Sequence, residues 1–201
     1  MEKNQMFSQM HRAALARLAG RAPEQIAANA GIRYEAASHS FSVPTLGTDV
    51  TVSFPDYQFA PELPDWHRLV ILHYLDLADG YPLTGKELPF GQMKSGMVRG
   101  GGIDRRCELA IQNLKDLDKD TLATLCASIG GEPIASNADA AWQIPFLPRF
   151  PVTLKLWLPD EDFPASGRLL LDSSADHYLT IEDAVTAADI LLEKLTREDP
   201  L

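Results

Sequence analysis

The sequence predicts a single α+β domain spanning residues 1–201, in which a mainly antiparallel sheet packs against several helices, one of them central and buried. Three observations carry this. Runs with two-residue alternation come in pairs joined by short turns, as in Phe41–Val43 with Val50–Phe54. Runs with three- and four-residue spacing flank them, as in Ile181–Leu195. Between the two kinds lies Trp66–Leu77, apolar around nearly its whole circumference, the pattern of a helix covered on more than one side. A chain of 201 residues can bury a sizeable core, and no internal repeat or compositional break marks a second domain.

In chain order, residues 2–19 read as a helix with Phe7, Met10, Ala14 and Leu18 inward, His11 on the same face, and Gly20 as its stop. Pro23, suited to a first helical turn, opens a short helix ending at Asn29. The period then switches to two, and a hairpin turns around Thr45-Leu46-Gly47-Thr48. Asp65 can cap the central helix, which Gly80 ends. Residues 81–102, rich in glycine and proline, form the longest irregular stretch, and a loop of that length in a compact domain is usually functional or mobile.

Helices follow at residues 104–117 and 118–129, the second closed by Gly130-Gly131. Cys107 with Ile103, Ala110 and Leu114, and Cys126 with Leu122, Leu125 and Ile129, fall on their apolar faces, so both thiols are expected in the core as small hydrophobes. Ala141–Ile144 and Phe146–Phe150 lead into an alternating strand, Val152–Trp157, and the acidic connection Pro159–Ser166 joins it to a strand at Gly167–Leu171. Thr180 as N-cap, with Asp183 three residues on, forms a variant capping box, and Glu182 and Asp183 suit the positive end of the helix dipole. The last helix therefore starts at Ile181.

Lysine and arginine number 18 against 28 aspartates and glutamates, a net charge of −10, which excludes non-specific attraction to nucleic acid or anionic lipid. From Asp160 to the end, three basic residues stand against eleven acidic ones, which suits either a basic protein partner or a solvated surface. The best apolar run, Leu69–Leu72, stops at His73, so no membrane span or export signal is expected and the location is read as cytoplasmic.

The chemistry-bearing motifs are incomplete. Gly80–Glu87 has the glycines and Lys86 of a phosphate loop, but Glu87 stands where a hydroxyl should bind the metal, Pro82 removes an amide, and a helix precedes it. Gly100–Gly102 beside Arg99, Arg105 and Arg106 could wrap a small anion, or could simply permit an awkward turn. His67 and His73, six apart on one helix, are too far around it to form a zinc pair. His177 lies in a loop between a strand end and a helix start, where an imidazole beside Asp172 or Asp176 is an oriented base, an axial ligand, or a tie to backbone. Ser166, Ser173 and Ser174 offer hydroxyls without a nucleophile elbow, and Asp160–Asp162 lacks the alternation of a calcium loop.

Asp65–Leu75, Gly85–Gly91, Phe150–Trp157, Asp160–Ser166 and Tyr178–Asp183 together resemble a bacterial and archaeal family, domain of unknown function 3786, over nearly the whole chain. The resemblance implies a setting in anaerobic organisms, where some relatives carry a cysteine-rich iron-sulfur segment, and hence proximity to redox or corrinoid chemistry. This chain has two cysteines on separate helices, so no iron-sulfur cluster is expected, and it lacks the Asp-x-His-x-x-Gly corrinoid motif. The leading expectation is a non-enzymatic protein binding a bulky tetrapyrrole or corrinoid between residues 81–102 and 172–178. Trp66, Tyr74, Trp142 and Trp157 would supply apolar surface there, and Asp172, His177, Tyr178 and Arg99 polar groups. The alternatives are a module docking a basic partner through its acidic C-terminal face, and a hydrolase using Ser173 or Ser174 with His177.

Overall fold

The computed structural model describes residues 2–113 and 119–196, with side chains from residue 5 onward. The chain runs α1 (Glu2–Leu18), α2 (Pro23–Ala30), β1 (Arg33–Glu35), β2 (Ser40–Thr45), β3 (Thr48–Ser53), β4 (Phe59–Ala60), α3 (Asp65–Leu77), β5 (Glu87–Leu88), α4 (Gly96–Arg99) and α5 (Ile103–Gln112). It continues α6 (Lys119–Ser128), β6 (Glu132–Pro133), β7 (Ala140–Leu147), β8 (Phe150–Trp157), β9 (Ser166–Asp172) and α7 (Ile181–Thr196). The expected helical end at 114–117, with Leu114, and the start at Asp118 lie outside the described residues.

The fold is α+β, with two antiparallel sheets in place of one. β1-β2-β3-β4 form a meander, and the other sheet has the order β5-β9-β8-β7-β6. The sheets meet where Leu46 N–H donates to Pro145 O (3.3 Å) and Thr45 Oγ1 donates to Phe146 O (2.8 Å). β7 shifts register between Pro145 and Leu147, a bulge that turns these carbonyls out of their own ladder. The two segments expected before Val152 are thus one strand and the start of the next, closed by a turn at Pro148-Arg149.

In the larger sheet, Val152, Leu154 and Leu156 of β8 share a face with Ile144 and Trp142 of β7 and with Leu169 and Leu171 of β9. α5 crosses that sheet against β9 with Ile111 over Gly167, where a Cβ would stand 2.6 Å from Ile111 Cγ1. On the opposite face Lys155 is buried as well, because its Nζ donates to Glu87 Oε2 (2.8 Å) and Asn137 Oδ1 (3.2 Å).

α3 is central, as its pattern predicts: Leu69 through Leu75 are all buried, and α1, α2 and α7 pack around it. Trp66, at its start, stays 40 % exposed. Asp65 is not the cap. Pro64 holds that position, and the Asp65 carboxylate pairs with Arg68 instead. α7 begins as expected: Thr180 Oγ1 donates to Asp183 Oδ2 (2.8 Å) and accepts the Asp183 N–H (3.3 Å). Cys107 and Cys126 are fully buried and unpaired, and burial pushes each thiol up to about 12.

The irregular stretch is more ordered in kind than its composition suggests. It holds β5, a 3-10 turn at Phe90–Gln92, α4, and a 3-10 turn at Gly100–Gly102 that runs straight into α5. Gly96 and Gly100 sit on the Phe90-Gly91 backbone without room for a side chain, which turns Met97 and Val98 outward into solvent. Among the described residues no helix is long and apolar enough to cross a membrane.

Candidate functional site

The six residues singled out as a binding set divide in the structure. Asp172, at the end of β9, is spent on local architecture. Its Oδ1 accepts from Thr84 N–H (3.1 Å), Thr84 Oγ1 (3.0 Å) and Ser174 N–H (2.9 Å), and its Oδ2 from Gly85 N–H (2.7 Å). Burial pushes this carboxyl up, but the donated N–H groups outweigh burial and hold it below the usual carboxylate range. Asp172→Asn keeps the shape but turns an amide toward these donors, and is expected to cost about 1–2 kcal/mol, given the residue's partial exposure. Faster proteolysis at residues 81–86 should accompany the loss; cleavage indistinguishable from the unmodified chain would show that Asp172 does not pin that segment.

Tyr74 and Tyr178 are both fully buried, with ring centroids 5.8 Å apart. The Tyr74 hydroxyl donates to Ala30 O (2.5 Å) and accepts the Arg149 N–H (3.0 Å), and burial raises its pKa. Tyr178 donates to the Tyr81 carbonyl. His177 gives Nδ1 to Asp79 Oδ2 (2.6 Å) and lies flat on Tyr81, centroids 3.9 Å apart and planes 5° from parallel. This bond from His177 is the main reason the Asp79 carboxyl is held low. Asp172, Tyr178 and His177 thus gather around residues 79–85 as a lock, with the Tyr74 ring beside Tyr178. Arg99 lies apart, paired with Glu182 (3.1 Å), and Trp157 is at the end of β8.

The hydrolase arrangement does not assemble. Ser173 Oγ is bonded to Thr84 Oγ1 (2.7 Å), Ser174 is fully buried, and no serine hydroxyl reaches the His177 ring among the described residues. Nor does the glycine run form an anion cradle: Arg99, Arg105 and Arg106 pair with Glu182, Glu108 and Asp189, and the helical turns preceding α5 occupy its N-terminal amides. The acidic C-terminal stretch is also partly consumed inside the fold. Asp160 accepts two backbone N–H groups of its own turn, Asp176 accepts that of Lys94, and Asp183 holds His73.

The largest of three described clefts lies elsewhere, with a volume of about 540 Å³. The β2–β3 turn supplies Thr45, Leu46 and Thr48; the start of α3 supplies Leu63, Pro64, Trp66 and His67; and α7 supplies Thr186, Asp189, Ile190, Glu193 and Lys194. None of the six expected residues lines it. A second cleft, about 460 Å³, lies beside Trp142, and a third, about 450 Å³, includes Arg99, Asp183 and again Trp66 and Thr186. The first and third therefore adjoin along α7.

His67 is the chemically defined group in the first cleft. It is 4 % exposed, and its Nε2 lies 2.8 Å from Thr45 Oγ1. That hydroxyl has a single hydrogen, which it donates to the Phe146 carbonyl (2.8 Å), so the imidazole must donate Nε2–H to it. The neutral ring then carries a lone pair on Nδ1, for which no partner is found among the described residues. Burial, helped by the charge of Lys194, lowers the His67 pKa to about 4, so the ring is uncharged at neutral pH. Asp189, on the facing wall, is pushed up by burial, with Arg106 opposing at 2.9 Å. Among the described residues no group of three or more metal-ligating side chains exists.

Sequence reasoning noticed His67 only as half of a failed zinc pair. Its tautomer depends on a hydroxyl 22 residues before His67 and a carbonyl 101 residues after that hydroxyl, contacts that no local spacing encodes. The available signal was Thr45 in a hairpin turn and a histidine in the first turn of a helix expected to be buried.

No match was found among curated proteins or among solved structures. The model of one family, described as Domain of unknown function (DUF3786), matches residues 22–194, from the start of α2 almost to the end of α7 and including every wall of the His67 cleft. The chain belongs to that family.

Proposed function

We propose that this protein binds a small organic molecule in the cleft between the β2–β3 turn, the start of α3 and the C-terminal half of α7. The observation that carries this is the combination of a cavity of about 540 Å³ with a buried histidine held in one tautomer at its wall. Ligand sites are concave, mostly apolar and provided with a few fixed polar groups, and roughly 300–1,000 Å³ is their usual size. Leu46, Leu63, Pro64, Trp66 and Ile190 supply the apolar part, and His67 the fixed polar group.

The loops first expected to hold a tetrapyrrole or corrinoid, which the family resemblance suggested, lend that reading less support. Tyr74 and Tyr178 are buried with their hydroxyls occupied, Asp172 has no free oxygen, and the His177 ring is covered by Tyr81. Docking of a basic partner keeps less support than the charge count gave it, because Asp160, Asp172, Asp176 and Asp183 serve internal bonds.

Nuclear magnetic resonance of the full chain with a set of uncharged aromatic fragments tests the proposal. Fragments entering the cleft are expected to shift the indole N–H of Trp66 and leave those of Trp142 and Trp157 in place. Absence of any shift at Trp66, or shifts centred on Trp157, would reject this site. Hemin is expected to leave the His177 ring signals unmoved, and a shift there would restore the macrocycle reading.

A further inference from the structure

Resting on that site, the chemistry of its walls restricts what can enter. With Nε2–H committed to Thr45, His67, which lines the cleft, has only the acceptor Nδ1 left to offer. A carboxylate or phosphate oxygen brought to Nδ1 would set two lone pairs against each other, whereas an N–H group would complete the buried ring's hydrogen bonding. Asp189, Glu193 and Lys194 also line the cleft, and Asp189 is already paired with Arg106 (2.9 Å). We infer that the cleft selects an amine: a ligand with an apolar, ring-sized body against Trp66, Leu63 and Ile190 and an N–H donor to His67 Nδ1.

Two features make this a preference of the fold and not of one side chain. The tautomer is set by the junction of the two sheets, since the Phe146 carbonyl that takes the Thr45 hydrogen is exposed by the bulge in β7. The ring also stays unprotonated at neutral pH, because burial and Lys194 both oppose its charge.

Phenethylamine and 3-phenylpropionate share an aromatic body and differ in the charge of the head group. Titrated into the full chain and followed through the Trp66 indole and the His67 ring nitrogens, the amine is expected to bind about tenfold more tightly. It should also move the Nδ1 signal toward that of a hydrogen-bonded nitrogen. Thr45→Val, which removes the acceptor that fixes the tautomer, should abolish most of this preference. Equal or tighter binding of 3-phenylpropionate overturns the amine preference and leaves the cleft as a ligand site. Neither compound perturbing Trp66 at millimolar concentration removes the ligand site as well.

Discussion

Asp183→Ala is expected to lower stability by about 3 kcal/mol, the largest effect of any single truncation outside the apolar core. Two losses combine. Asp183 closes the capping box with Thr180 at the start of α7, a contribution of about 1 kcal/mol. Its other oxygen accepts from His73 Nδ1 at 2.7 Å, and both residues are buried, so truncation leaves an imidazole N–H in the interior without a partner. The second loss dominates, because an unsatisfied buried donor costs its full desolvation. A denaturant titration checks the total, and a double-mutant cycle checks the cause: His73→Phe with Asp183→Ala should be less destabilised than the sum of the two single changes by at least about 1 kcal/mol. Strict additivity would mean that α3 and α7 are held by packing alone and that the pair is incidental.

Gly100→Ala is the second large change, expected at about 2–3 kcal/mol, although the backbone there would ordinarily welcome alanine. Gly100 has φ −77° and ψ −24°, and alanine in a helical conformation is favoured over glycine by about 1 kcal/mol. That gain is outweighed, since a Cβ would lie 2.5 Å from both the C and the O of Phe90 and 2.7 Å from Gly91 N, atoms of backbone that cannot swing aside. Gly101 is the internal control: a Cβ there meets nothing within 4 Å, so Gly101→Ala should be neutral or slightly stabilising. Equal midpoints for the two variants would refute the close-approach account. If it holds, the glycine run serves contact between α4 and the Phe90 turn, and neither of the two sequence readings of that run, anion cradle or awkward turn, is what selects glycine at position 100.

The parts of the fold legible in the sequence are those whose cause is local. The capping box at Thr180, the hairpin about Gly47, the buried circumference of α3 and the strands at 152–157 and 167–171 each follow from spacing within a dozen residues. What the sequence hid is pairing at a distance. β5 is two residues long and exists because Glu87 and Leu88 lie against Asp172 and Leu171, and two residues carry no period. The split into two sheets follows from the bulge at Pro145–Leu147, which no alternation announces. The same holds for the site. His177 and Asp172 were conspicuous because polar loops attract functional readings, yet their partners, Asp79, Thr84 and Gly85, are some 90 residues away and turn them into fasteners. The cleft was invisible because its walls come from residues 45–48, 63–67 and 186–194, none of which forms a motif alone.

The short strands also govern how the molecule meets others of its kind. Among the described residues the sheets end in β1, β4, β5 and β6, of three, two, two and two residues, and β6 itself ends in Pro133. Each of these rim strands offers an incoming strand only two or three residues, a short template that disfavours β-augmentation along it without recourse to surface charge. The long strands β7, β8 and β9, whose apolar composition would be hazardous if bared, are thereby kept to the interior of their sheet.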